Sequence, residues 1–265
     1  MPMNSPYILE ETGDYAVVFK PPKMHSRENG TRNGEKETLL GWYAAQKAPQ
    51  KAPQSAHVYD IMHRLDYETH GLVLVSKNEK SFHFFKDQQD KGEFVKEYSA
   101  ICINSIENAD NFHSDTDKTH SSVSDYLPGF PPCARGNDNL IKSWFRPYGP
   151  GRKQVRPVIE DAKKHREIAK DKGFFYVTEI VSADKNVFTV RIKRGFRHQI
   201  RCHLYWIGFP ILNDPLYSPP GTLPSRALTE QTLALRAHAV FFTDPAQGIR
   251  HECRIAALDS KHIFS

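Results

Sequence analysis

"IMHRLDYETHGLVLVSKN", residues Ile61 to Asn78, sets His63, Arg64 and Asp66 directly ahead of the apolar run Leu72 to Val75. A strand needs no such polar cluster in order to fold. The apolar run predicts a buried strand. Asn78 predicts the cap of a helix reaching about Lys91, with Phe82 and Phe85 on its inner side and Gly92 as its stop. The HRLD residues then form a loop at the mouth of that strand. Residue types alone leave three uses of the loop open. Arg64 and Asp66 can make structural ion pairs. His63, Asp66 and His70 can ligate a divalent metal, which suits imidazole and carboxylate donors. An arginine close to the acid can also keep a reactive carboxylate ionised. Serine-hydrolase chemistry is disfavoured, because the chain has no G-x-S-x-G elbow.

Upstream, "DYAVVF" (14–19) reads as a buried strand stopped by "KPP" (20–22), and "TLLGWYAAQ" as a short helix with Thr38 as its cap. Residues 23–37 read as a loop, and the tandem "KAPQKAPQ" (47–54) as an exposed linker. Val58 to Met62 is expected to enter the sheet. Downstream, "FVKEYSAICI" (94–103) returns as a strand with Phe94, Lys96, Tyr98 and Ala100 on one face. Residues 104–125 are polar and read as an insertion, with irregular chain continuing to about 140. "KSWFRPYGPGRKQVRP" (142–157) interleaves Trp144, Phe145 and Tyr148 with five basic residues, as a surface loop that can stack bases and hold phosphates. A charged, helix-like stretch (159–172), the strands "FFYVTEIV" and "NVFTVRIK", a helix "RHQIRCHLYWIG" and the strands "LRAHAVFFTDP" and "HECRIAAL" follow. In that helix Arg197 and Arg201, at i and i+4, are expected side by side near an anion-attracting N-terminus. The pattern implies one α+β domain over 1–265.

Bulk composition narrows the class. The 265 residues are 39% hydrophobic and 25% charged, with no apolar run approaching a membrane span and no basic-then-apolar leader. Four scattered cysteines without a C-x-x-C pair fit reduced thiols in the cytoplasm. Net charge is +5, but Lys142 to Arg201 holds sixteen Lys/Arg against six Asp/Glu, so the rest of the chain is acidic by five charges. A basic block on an acidic body fits a polyanion partner, although it can also be a solvated surface.

Five blocks, in order, resemble the RluA-type pseudouridine synthases. "HRLDYETHG" resembles H-R-L-D-x-x-T-S-G, and "DYAVVFKPPKMHS" the strand and K-P-x-G segment ahead of it. "FVKEYSA" resembles K-x-Y-x-A, and "LRAHAVFFTDP" resembles L-H-A-x-x-L-x-F-x-H-P. "GFRHQIRCHLYWIGFPILNDPLY" resembles the G-R-x-H-Q-I-R segment. The resemblance implies a bent, largely antiparallel mixed sheet with a central active-site cleft, and isomerisation of a uridine in structured rRNA or tRNA. It casts Asp66 as the catalytic aspartate, Tyr98 as the base contact, Arg201 as the partner of Asp66, and Arg64 as the filler of the flipped base's place. RNA contacts are further expected from His63, Lys96, Arg197, His198, Gln199, Arg152, Lys153 and Arg156. No cofactor, metal or membrane is expected, nor an S4-type domain ahead of the catalytic one, and a monomer is expected. Three positions depart from the pattern: His70 for serine, Phe196 for arginine, and Arg236 for histidine. The readings from other classes are a non-catalytic RNA-binding protein and a metal-dependent hydrolase.

Overall fold

A computed structural model describes residues 4–28, 37–47, 59–103, 139–158, 175–184, 186–218 and 232–259. Residues 48–54 of the proline-rich repeat, the 104–125 insertion and the 159–172 stretch lie outside the described residues. The chain divides into two compact units: Met1–Tyr98 with Leu235–Ala257, and Ser99–Ala234 with Leu258–Ser265.

The first unit contains β1 (Tyr7–Glu11), β2 (Tyr15–Lys20), α1 (Leu39–Lys47), β3 (Asp60–Ile61), β4 (His70–Ser76) and α2 (Glu79–Lys91). Val95–Tyr98 of β5 (Val95–Ile101) also belongs here. So do two strands that appear later in the chain, Leu235–Thr243 and Arg250–Arg254. The continuous apolar runs become central strands: every residue of β2 and β4 is buried, and the two pair antiparallel from Tyr15↔Ser76 to Lys20↔Gly71. Burial on both faces is why neither run alternates with polar residues. The expected caps form, since the Asn78 side chain accepts from the Ser81 N–H at 2.8 Å and Gly92 takes a left-handed conformation. Thr38 Oγ1 accepts from the Gly41 N–H at 3.1 Å at the start of α1. Tyr15, Val17, Leu72, Leu74, Phe85, Phe94, Val240 and Phe242 pack one core, so residues from both ends of the chain close it.

The second unit takes Ser99–Ile101 of β5 and adds β6 (Leu140–Tyr148), β7 (Gln154–Val158), β8 (Tyr176–Asp184), β9 (Val187–Ile192) and α3 (Gln199–Trp206). Antiparallel pairing runs β9-β8-β6-β7. Here the 142–157 stretch departs from the expected surface loop. It is a hairpin, β6 and β7 paired from Trp144↔Val158 to Tyr148↔Gln154, turning through Gly149, Gly151 and Arg152 at positive φ. Its alternation puts Ile141, Ser143 and Phe145 inward and leaves Lys142, Trp144 and Arg146 half-buried.

The late strands of the first unit are β10 (Leu235–Thr243) and β11 (Arg250–Arg254). Strand order in that unit is β1-β2-β4-β10, with β3 on β4 and β11 on β10. The β4–β10 pair is parallel, Arg236↔His70 and Ala237↔Gly71. Gly71 sits at φ +128°, and a Cβ there would lie 2.2 Å from the Ala237 carbonyl oxygen, so only glycine lets these strands meet. No helix among the described residues is long and apolar enough to cross a membrane.

Candidate active site

The loop from Met62 to Thr69 is held by its main chain. Ser26 Oγ donates to the Leu65 carbonyl and accepts from the Leu65 N–H, both at 3.0 Å. The fully buried Lys20 ammonium donates to the carbonyls of Pro21 at 2.9 Å, Met24 at 2.8 Å and Tyr67 at 3.4 Å. Burial pulls the Lys20 pKa down to about 7, and the charges of Asp66 and Glu68 partly offset that. These two residues fix the backbone on either side of Asp66, which closes a turn by accepting the Thr69 N–H on its carbonyl at 3.1 Å. Asp66 is half-buried and Arg64 exposed.

His63 sits differently from a phosphate-binding cation. Its Nε2 donates to the Leu72 carbonyl at 3.1 Å and its ring lies 5.3 Å from that of Phe94. Burial, and then the Lys96 charge, lower its pKa to about 3, so the imidazole is neutral. His70 Nε2 accepts from Arg236 Nε at 3.0 Å. His63, Asp66 and His70 do not come together as a metal-ligand cluster among the described residues.

On β5 the period of two puts Lys96 and Tyr98 on one face, both buried. Burial lowers the Lys96 pKa to about 7, with its Nζ 5.2 Å from the centre of the Phe94 ring. The Tyr98 phenol is pushed up by burial and then by the negative charge of Asp66, which therefore lies within electrostatic reach. Lys20 and Tyr98, both buried, are thus each influenced electrostatically by the half-buried Asp66.

The expected residues of the second unit fall into a buried set and an exposed set. Arg201 is fully buried on α3; its Nε and Nη2 donate to the two Asp214 oxygens at 2.8 Å each, and Asp214 also accepts the Leu216 and Tyr217 N–H groups. Gln199 donates to the Val177 carbonyl and Thr178 Oγ1 and accepts the Phe196 N–H. His198, left-handed at φ 56°, precedes the helix and meets the Tyr217 hydroxyl at 3.2 Å. Because α3 begins only at Gln199, Arg197 and Arg201 do not sit side by side on a helical first turn. Arg197 lies outside it, exposed, donating to the Arg152 and Lys153 carbonyls. Arg152, Lys153 and Arg156 are exposed with it. Of the three hairpin aromatics, Trp144 stacks on Phe175 and Phe145 on Phe196, while Tyr148 is exposed beneath Arg156.

The three departures acquire reasons. His70 and Arg236 are directly opposed in the β4–β10 register and bonded to each other, so two of them are one paired exchange. Phe196 fills the aromatic cluster with Phe145 and Tyr176. Sequence reasoning did not find Lys20 or Ser26. A lysine closing a wholly apolar strand, just ahead of two prolines that lack N–H donors, was the available signal.

The profile of the RNA pseudouridylate synthase family matches residues 14–206. A protein of Caenorhabditis elegans with no assigned role is 27% identical over 212 residues, covering 80% of this chain and 38% of its own length. An uncharacterised RNA pseudouridine synthase of Chloroflexus aurantiacus is 27% identical over 159 residues, 60% of this chain and 39% of its own. One from Helicobacter pylori is 26% identical over 248 residues, 90% of this chain and 72% of its own. The chain therefore spans about two fifths of the first two relatives. Among solved structures, human RNA pseudouridylate synthase domain containing 4 superposes with TM-score 0.58 at 17% identity, covering 97% of this chain and 90% of that one. Its counterpart, domain containing 1, gives 0.55 at 15%, covering 97% and 85%. These likenesses establish the α+β fold, and with a profile match over most of its length, the chain belongs to the RNA pseudouridylate synthase family.

Proposed function

We propose that this protein isomerises a specific uridine in structured RNA, rRNA or tRNA, to pseudouridine, with Asp66 as the catalytic carboxylate. The observation that supports this most is the HRLD loop: its backbone is clamped by Ser26 at Leu65 and by Lys20 at Tyr67, and the charge of its half-buried acid helps push up the buried Tyr98 phenol. The reaction breaks N1–C1′, turns the base, joins C5 to C1′, and moves a proton from C5 to N1. It needs no redox partner or outside nucleophile. Asp66 either attacks C1′ or takes a proton from C2′ to give a glycal, and both need it ionised. Action as a cytoplasmic monomer also belongs to this reading.

Neither C1′ nor N1 is reachable in a stacked helix, so the uridine is extruded. Tyr98 offers the flipped base an aromatic face, and exposed Arg64 occupies the vacated place. Arg152, Lys153, Arg156 and Arg197 hold phosphates, a contact that weakens with salt.

The test uses RNA transcribed with tritium at uridine C5, incubated with the protein and with Asp66→Asn. Joining C5 to C1′ displaces that hydrogen. Release by the native chain, lost in the variant and indifferent to chelator, is the expected outcome. Tight RNA binding without any release from rRNA or tRNA would sink the reading in favour of a non-catalytic RNA-binding protein.

A further inference from the structure

Away from the HRLD loop, Glu10 on β1 and His251 and Cys253 on β11 bring their ligating atoms within 4.8 Å of one another. His251 Nε2 lies 2.9 Å from Glu10 Oε1, Cys253 Sγ lies 3.1 Å from Glu10 Oε2, and Sγ and Nε2 are 3.3 Å apart. The cluster joins positions 243 residues apart in the chain.

Its assembly depends on a break in strand register. β1 pairs Ile8↔Val18 and then Glu10↔Val17, so Leu9 is an extra residue. Directly opposed residues in an antiparallel pair share a face, and Val17 faces the core. Without the bulge, Glu10 would oppose Ala16 and point to the other side of the sheet. On β11, His251 and Cys253 are two apart and share a face. Tyr15, in turn, donates its hydroxyl to Glu10 Oε1 at 2.8 Å and orients the carboxylate from behind.

We propose that Glu10, His251 and Cys253 bind one zinc ion, with water as the fourth ligand. A thiolate, an imidazole and a carboxylate are a borderline-soft donor set that suits zinc over magnesium or calcium. Tetrahedral zinc holds such donors about 3.3–3.6 Å apart, so the present spacing needs to open by only a few tenths of an ångström. Cys253 is nearly inaccessible, but the His251 and Glu10 side chains are 30% and 34% exposed, which leaves a path for the ion and its water. Binding replaces the Cys253 thiol proton, which leaves to solvent, and shifts the His251 proton to Nδ1; no electrons move. The ion would tie the bulged first strand to the last one, and the site is independent of Asp66.

The experiment takes untagged full-length protein stripped by chelator, desalted after zinc exposure and assayed for bound metal. Cobalt(II) serves as the spectroscopic probe. The expected result is one zinc per chain, close to one proton released per zinc, a raised Tm, and a thiolate-to-cobalt charge-transfer band. All four should vanish in Cys253→Ser and His251→Gln and persist in Cys102→Ala and Asp66→Asn. Zinc at much less than one per chain, or equal retention in Cys253→Ser, would overturn the site. If either variant fails to fold, the cobalt spectrum of the native chain decides alone, since absence of the thiolate band would equally refute it.

Discussion

The loop that carries Asp66 and the helix that carries Arg201 are both rich in ionisable side chains, and they use them in opposite ways. In the loop, the bonds that hold the chain come from residues elsewhere, Ser26 and Lys20, and they act on main-chain groups of Leu65 and Tyr67. The acid itself stays half-open. In the helix, Gln199, Arg201 and His203 are all buried, and they tie α3 to β6, β8 and the 214–217 turn. The contrast separates a loop whose backbone is fixed from outside from a helix whose own side chains are the fasteners.

The largest effect expected from breaking this contrast is on turnover. Asp66→Asn should lower tritium release by on the order of 10⁴-fold, as loss of a group acting on the reacting atoms does, with an unchanged thermal melt. Arg201→Met should act on the fold instead. Leaving Asp214 buried without its guanidinium costs about 3–5 kcal/mol, visible as a loss of Tm, and the Arg201→Met/Asp214→Leu double variant should recover part of it. A result in which Arg201→Met keeps its Tm and loses only activity would collapse the distinction.

Acid should reach both regions through one histidine each, half-buried His63 in the loop and buried His203 in the helix. Burial holds the pKa values of His63 and His203 at about 3, below the ordinary 6.5 of the unfolded chain. The unfolded state therefore binds more protons between those values, and stability is full above pH 6.5 and lost as pH falls toward 3. The slope is up to about 1.4 kcal/mol per pH unit for each histidine. Both rings should keep neutral-imidazole NMR shifts at pH 5; a mid-range titration of either would refute its burial. The smallest effect concerns the paired departures. The His70→Ser/Arg236→His double variant should cost less than the sum of the two single variants, with a coupling of about 1 kcal/mol in denaturant melts.

Much of this was legible in the chain. The buried runs of β2 and β4, the Asn78 cap and the Gly92 stop follow from local chemistry that tertiary packing did not override. The hairpin β6–β7 was not legible as strands, because Pro147, Pro150 and two glycines read as loop while its alternation is interrupted by Ser143. The start of α3 was misjudged because a left-handed His198 has no signature in composition. At the site, Asp66 and Tyr98 came from motif resemblance, whereas Lys20 and Ser26 act through carbonyls and an N–H that no sequence displays. His70 and Arg236 looked like unrelated oddities, since a contact across 166 residues is invisible until the strands are paired.

The division of the chain also sets a schedule for synthesis. The first unit needs β10 and β11, whose Val240, Phe242 and Cys253 complete the core begun by Tyr15, Val17, Leu72 and Leu74. Between Tyr98 and Leu235 lie the residues of the other unit. At about 5–20 residues per second, β4 emerges from the ribosome roughly 8–32 s before β10, and β2 earlier still, with an unfinished apolar face on β2 and β4. A chain stopped at Ala234 should accordingly remain bound by chaperones, while one extended through Ala257 should be released.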